Sequence, residues 1–241
     1  MNIKDVAWPD VKAKLDKSNL LIVPLGATET YGHHLAMGTE IAVADYVGNE
    51  LGNRLDCLVT PTIPVTCSAL LDPFPGNLYA SPPVVKAYVQ EICDRMVTWG
   101  IRRIFFLNIH GPNLGFLDEL SREYMRRQIR CSQVDFWRTM IKLVPDLLRG
   151  PAPHAYGHGS EMAVAVALAI NPALVFRDRF STVIPDTPLA DKYPDIMTYV
   201  AFNEVTPTGH TGDPSLGTVA AGREALKRTL DRLEQFLRAW S

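Results

Sequence analysis

Two unbroken apolar runs, Leu20-Leu21-Ile22-Val23 and Ile104-Phe105-Phe106-Leu107, constrain this chain most. A strand with one face in water alternates apolar and polar residues, so a strand without alternation has both faces covered. Segments of helical period follow each run. After Thr39, Ile41, Val43, Val47, Leu51 and Leu55 share a face, and Thr39 reads as an N-cap that puts Glu40 in the first turn. Ser81-Pro82-Pro83 opens a helix carrying Val85, Val89, Ile92 and Met96, which Gly100 ends. Beyond Asn113, Phe116, Leu117, Leu120 and Tyr124 mark another, to about Gln128. Further strands are predicted at Cys57–Thr60 and 133–137. Further helices are predicted at 5–17, Thr139–Leu148, Met162–Ile170 and about 216–240. The order β-α-β-α-β-α-β implies a mainly parallel sheet with helices on both faces and right-handed crossovers. The 241 residues, 47% of them hydrophobic, suit one large α/β domain or at most two small ones. We take 1–241 as one.

The balance of charge excludes some classes of function. With 24 basic and 26 acidic residues, net −2, the chain carries no nucleic-acid footprint and no basic membrane-binding face. No apolar run approaches the ~20 residues that span a bilayer. Cys57, Cys67, Cys93 and Cys131 are scattered without a C-x-x-C pair, and the first residues lack an apolar signal core. The expectation is a cytoplasmic protein with reduced, partly buried thiols, acting on a small-molecule substrate.

In parallel sheets, ligands bind at the carboxyl ends of the strands. Glu29 lies just past the end of the first run, in a loop that also holds Tyr31, His33, His34 and Glu40. His110 lies just past the other run. The topology sends Glu29 and His110 to one sheet edge, and carboxylate with imidazole is a ligand set for zinc or manganese. Plainer readings stand beside this one. Adjacent histidines in a glycine-containing loop are often ordinary polar residues, and a carboxylate in a first helical turn is favoured by the helix dipole alone. Glu161 opens the almost wholly apolar segment 162–170 with His158 three residues before it, which reads equally as a cap or as a metal or catalytic group. Trp137 takes a core role or packs against a flat substrate. His210 and Asp213, in the long irregular stretch 176–215, read as structural. The stripe Leu226, Leu230, Leu233, Leu237, Trp240 reads as core or subunit interface.

Taken together, these stretches resemble the creatininase family. The motifs are Glu29-Thr30-Tyr31-Gly32-His33-His34-Leu35-Ala36-Met37-Gly38-Thr39-Glu40, Phe74-Pro75-Gly76, Asn108-Ile109-His110-Gly111-Pro112-Asn113, His158-Gly159-Ser160-Glu161 and Gly212-Asp213-Pro214, in the family's order. The resemblance implies a three-layer α/β/α sandwich, a homo-oligomer (commonly a hexamer) and hydrolysis of small amides at a two-metal site. It implies that Glu29 and His110 hold a first metal, that Glu40 bridges both, that Glu161 serves the second, and that His158 moves protons. Members open cyclic amides, remove formyl groups or trim a small peptide, and some relatives open carbocyclic rings. Three departures matter. Tyr31 stands where the family has a histidine ligand of the second metal, and a phenol of pKa about 10 is a poor ligand until deprotonated. Glu40 replaces the usual aspartate. The His-Gly-x-Glu spacing is shorter than the His-Ala-Gly-x-x-Glu form of many members. His33 or His34 could take the missing imidazole's place. The expectation is one or two ions of Zn, Mn or Fe per chain and metal-assisted cleavage of a C–N bond in a small cyclic or formylated amide. The alternatives are ring-opening hydrolase or lyase chemistry on a sugar-like or carbocyclic substrate, or a catalytically silent scaffold.

Overall fold

A computed structural model describes residues 1–152, 154–185, 192–193, 195–196 and 200–240. After a 3-10 turn at Ile3–Asp5, helix α1 (Trp8–Leu15) carries Pro9 in its first turn, where a missing N–H costs nothing. Then come β1 (Leu20–Leu25), α2 (Thr39–Leu55), β2 (Leu58–Val59), α3 (Pro82–Thr98), β3 (Arg103–Asn108), α4 (Leu114–Arg126), β4 (Arg130–Asp135), α5 (Phe136–Leu143), α6 (Glu161–Ile170), the short α7 (Phe202–Val205) and α8 (Val219–Ala239). The strands form one sheet in the order β2-β1-β3-β4, and every pairing is parallel.

Successive strand side chains point to opposite faces, so each central strand feeds two cores. Leu20, Ile22, Phe105, Leu107 and Val134 face one core with α2, α5, α6 and α8. Leu21, Val23, Ile104 and Phe106 face the other with α3 and α4. The result is the three-layer α/β/α sandwich. The leucine stripe of α8 lies in the first core, with Trp240 packed at its border. Among the described residues the cysteines are free, three buried and Cys131 half-buried. No described helix is long and apolar enough to cross a membrane.

Among the boundaries that differ from the sequence reading, with the helix at Thr139–Leu148 found at Phe136–Leu143, two have a clear local cause. Thr39 is the first residue of α2 rather than its cap. Gly38 takes the cap position, and the Thr39 hydroxyl donates back to Ala36 O at 2.6 Å. The fourth strand ends at Asp135, whose carboxylate accepts from Arg138 N at 3.1 Å and starts α5 at Phe136. The β-like residues Phe136 and Trp137 therefore lie in a helix: a cap of ~1 kcal/mol and burial of the Phe136 ring outweigh their weak strand preference. Parts of the stretch 176–215, namely 186–191, 194 and 197–199, lie outside the described residues.

Candidate metal centre

The registry of the sheet builds the site. Leu25, the last residue of β1, is paired with Asn108, the last of β3. The chains that leave these neighbouring ends carry Glu29 and His110, and α2 begins close by with Glu40. One side-chain atom from each of Glu29, Glu40 and His110 comes within 4.8 Å of the other two. All three are interior, 1%, 2% and 3% exposed. Two carboxylates stripped of water are costly unless a cation faces them.

Hydroxyl and carbonyl groups fix these three side chains. His110 Nε2–H donates to Cys67 O at 2.6 Å, which turns Nδ1 toward the carboxylates, 3.0 Å from Glu40 Oε2 and 3.4 Å from Glu29 Oε1. The Ser68 hydroxyl donates to Glu29 Oε2. The Tyr31 hydroxyl donates to Glu40 Oε1 at 2.5 Å. Glu40 Oε2 is buried, and as long as His110 Nδ1 carries no proton it has no hydrogen-bond donor. The remaining lone pairs therefore converge, an arrangement that a divalent cation suits and a neutral imidazole does not.

The protonation tendencies show the same demand for positive charge between the carboxylates. Burial would lift the Glu29 carboxyl, but His110, His158 and the Ser68 hydroxyl hold it below its ordinary value. Burial and the Glu29 charge push Glu40 up against the pull of His110. Burial would depress His110, but the two carboxylates hold it well above the usual imidazole range. Burial and the charges of Glu40 and Glu29 drive the Tyr31 phenol far up, so it is a neutral donor here.

The other residues singled out in the sequence lie differently. His158 is beside the cluster: its Nε2 is 4.0 Å from Glu29 Oε1 and donates to Thr30 O at 2.6 Å, and its ring is 4.0 Å from that of Tyr31. Glu161 is turned away. Both its oxygens accept backbone N–H groups, of Arg149 at 2.9 Å and Gly150 at 2.8 Å, so it holds the 149–150 turn and joins no ligand group. Tyr31 meets the cluster as a hydrogen-bond donor rather than as a ligand. His33 is exposed. His34 does not reach the cluster: it is fully buried, its Nε2–H donating to Gly159 O at 2.7 Å. His210 is buried between Thr208 and Ser181 O, and Asp213 caps the turn at Ser215.

Sequence reasoning missed Ser68 and the Cys67 carbonyl. Both lie in an irregular loop, and a backbone carbonyl leaves no trace in a sequence. A cavity of about 190 Å³ adjoins Tyr31 and is lined also by Trp137, Ile141, Tyr156, His158 and Met162. Trp137 Nε1 is buried without a partner. Phe202 of α7 packs across His158, ring centres 5.2 Å apart.

The buried His34 predicts an acid limb of stability. Burial drives its pKa to about 4 against the pull of the Gly159 carbonyl, helped by His210 and His33. Its ring meets His210 and Phe180 edge-on at 4.7 and 5.5 Å. The folded value lies below the unfolded one of 6.5, so the unfolded state takes the proton first. His34's contribution is therefore complete above pH 6.5 and is lost as pH falls from there toward about 4. Urea midpoints between those limits are expected to drop less steeply in His34→Gln. Identical slopes in both proteins would contradict the assignment.

The family model for creatininase, described as creatinine amidohydrolase, matches residues 4–237. The chain is 23% identical over 240 residues to a creatinine amidohydrolase of Pseudomonas putida, covering 92% of this chain and 87% of that one. It is 26% identical over 231 residues to a mycofactocin precursor peptide peptidase of Mycobacterium ulcerans (strain Agy99), covering 92% and 85%. Among solved structures, one described as creatininase Mn superimposes with TM-score 0.84 at 20% identity, covering 99% of this chain and 97% of that one, a likeness of fold.

Proposed function

The chain belongs to the creatininase family, and on that premise we propose that it is a metal-dependent amidohydrolase cleaving a C–N bond in a small cyclic or formylated amide. The convergence of Glu29, Glu40 and His110 in the interior carries this reading. These three would hold a divalent cation, zinc or manganese by ligand type, with iron also compatible. When bound, such an ion supplies Lewis acidity, lowering the pKa of water from 15.7 toward ~7 and polarising a carbonyl.

The chain's own groups do the rest. Cys67 O, Ser68 and Tyr31 hold the ligand atoms in place. His158, with Nε2–H given to Thr30 O, keeps Nδ1 to accept a proton and return it to the leaving nitrogen. The adjoining cavity is lined by aromatic and apolar side chains with no carboxylate, lysine or arginine, which favours a small, flat, uncharged substrate over a polyol or a long peptide.

Two treatments test this. Stripping the protein with a chelator is expected to abolish hydrolysis of a cyclic-amide panel, and zinc or manganese to restore it. His158→Ala is expected to lower kcat by ~10²–10⁴ while the metal content stays unchanged. Turnover that survives stripping, or a panel of cyclic amides, formamides, short peptides and polyol ketones in which only the last two react, would overturn the proposal.

A further inference from the structure

We infer that this centre holds one divalent cation per chain, and that Tyr31 is the positioning residue that sets the number. The inference rests on the metal reading above. Each ligand side chain has two donor atoms, and in each case one is already engaged. Ser68 caps Glu29 Oε2, Tyr31 caps Glu40 Oε1, and Cys67 O takes His110 Nε2–H. The atoms left over are Glu29 Oε1, Glu40 Oε2 and His110 Nδ1. They face one another, and they offer one ion three protein ligands with room for water or substrate, the pattern of a catalytic site with an open position.

A carboxylate that bridges two cations through its two oxygens needs both of them free. Glu40 has one. Its other oxygen already accepts from the phenol oxygen 2.5 Å away, so an ion about 2.0–2.2 Å from the same atom would have to compete with that donor. The phenol is also anchored. Tyr31 is 4% exposed, its ring packs with Leu35, Ala163 and Val164, and it lies against the His158 ring. Swinging the hydroxyl aside would leave a gap in that packing.

The carboxylate and the buried imidazole that the sequence offered for a second ion are committed elsewhere. Glu161 is spent on two backbone N–H groups, and His34 Nε2 on Gly159 O. The turn after His110 reads Gly111-Pro112 and offers no ligand. Among the described residues, Glu29, Glu40 and His110 make the one group of three metal-binding side chains.

The test counts ions. Chelator-stripped protein is titrated with ZnCl₂ by calorimetry, and protein loaded with MnCl₂ is analysed for metal and by electron paramagnetic resonance. Wild type is expected to take one equivalent and to give the six-line signal of an isolated Mn²⁺. A pair about 3.5–4 Å apart would be exchange-coupled instead. Tyr31→Phe frees Glu40 Oε1 with little change in packing. It is expected to bind the first ion about 10–100-fold more weakly, the usual loss when a group supporting a ligand is removed, or to admit a second equivalent. Two equivalents in wild type, or a Tyr31→Phe protein that matches wild type in both number and affinity, would overturn the inference and leave the hydrolase reading intact. Failure of wild type to bind either metal would remove both.

Discussion

His110→Ala is expected to leave the protein without retained metal and to lower kcat/KM at least ~10³-fold, the equivalent of about 4 kcal/mol of transition-state stabilisation. His110 supplies the one nitrogen among the three converging atoms, and its orientation is fixed by the Cys67 carbonyl. Without it, Glu29 and Glu40 face each other almost wholly out of water. Two such carboxylates cannot both stay ionised cheaply, so one takes a proton and ceases to be a ligand. Breaking a buried pairing also costs roughly 3–5 kcal/mol of stability, a large share of the 5–15 typical of a folded domain. Glu29→Gln separates the two effects. It removes a ligand while His110 remains opposite Glu40, and it is expected to lose metal and activity while unfolding near the wild-type midpoint. Metal analysis and kcat/KM for both variants decide the matter. Retention of a full equivalent with activity within about tenfold of wild type would exclude the assignment.

The layered fold was legible because burial on both faces leaves a direct mark in composition. Ile22, Val23, Phe105 and Phe106 alternate between two cores, so no position in those runs can be polar. The sheet edge was legible for the same reason: once the strands are parallel, Glu29 and His110 must leave from the same side. What lay beyond reach depends on atoms rather than residue types. Glu161 looked like a ligand because it opens a helix beside a histidine, yet its two oxygens close the 149–150 turn. Tyr31 looked like a failed ligand. Its hydroxyl points at Glu40, and only a distance distinguishes a donor from a ligand. His34, three residues beyond Tyr31, turns to Gly159 rather than to the carboxylates. The β4–α5 boundary was missed because the capping bond of Asp135 is local and its residue type is common in loops.

Gly222→Val is expected to lower the unfolding midpoint by at least ~10 °C or to leave the protein insoluble, whether or not metal is present. The reason lies in how α6 and α8 meet. Helix α6 is almost entirely apolar and buried, so it must be covered closely on all sides, and α8 covers one of them. A Cβ on Gly222 would stand 1.9 Å from Ala165 O and 2.4 Å from its carbonyl carbon. Those are backbone atoms in the middle of a helix, and no rotamer change can move them. The helices would have to part, opening space beside Val166 and Leu226 in the core that supports the carboxyl ends of the strands. Overpacking a core costs about 1–3 kcal/mol where side chains can adjust, and more where they cannot. At roughly 2–4 °C per kcal/mol for a chain of this size, a loss of about 4 kcal/mol gives the stated shift. Gly115 in α4 supplies the contrast. A Cβ there meets nothing within 4 Å, so Gly115→Ala replaces a poor helix former with a good one and is expected to raise stability slightly, by up to ~1 kcal/mol, and the midpoint by a few degrees at most. Thermal melts of the two variants beside wild type measure both. If Gly222→Val melts with wild type, the close approach of α6 and α8 is not what holds that face of the sandwich together. If both variants fall alike, the loss belongs to glycine replacement in general and not to this contact.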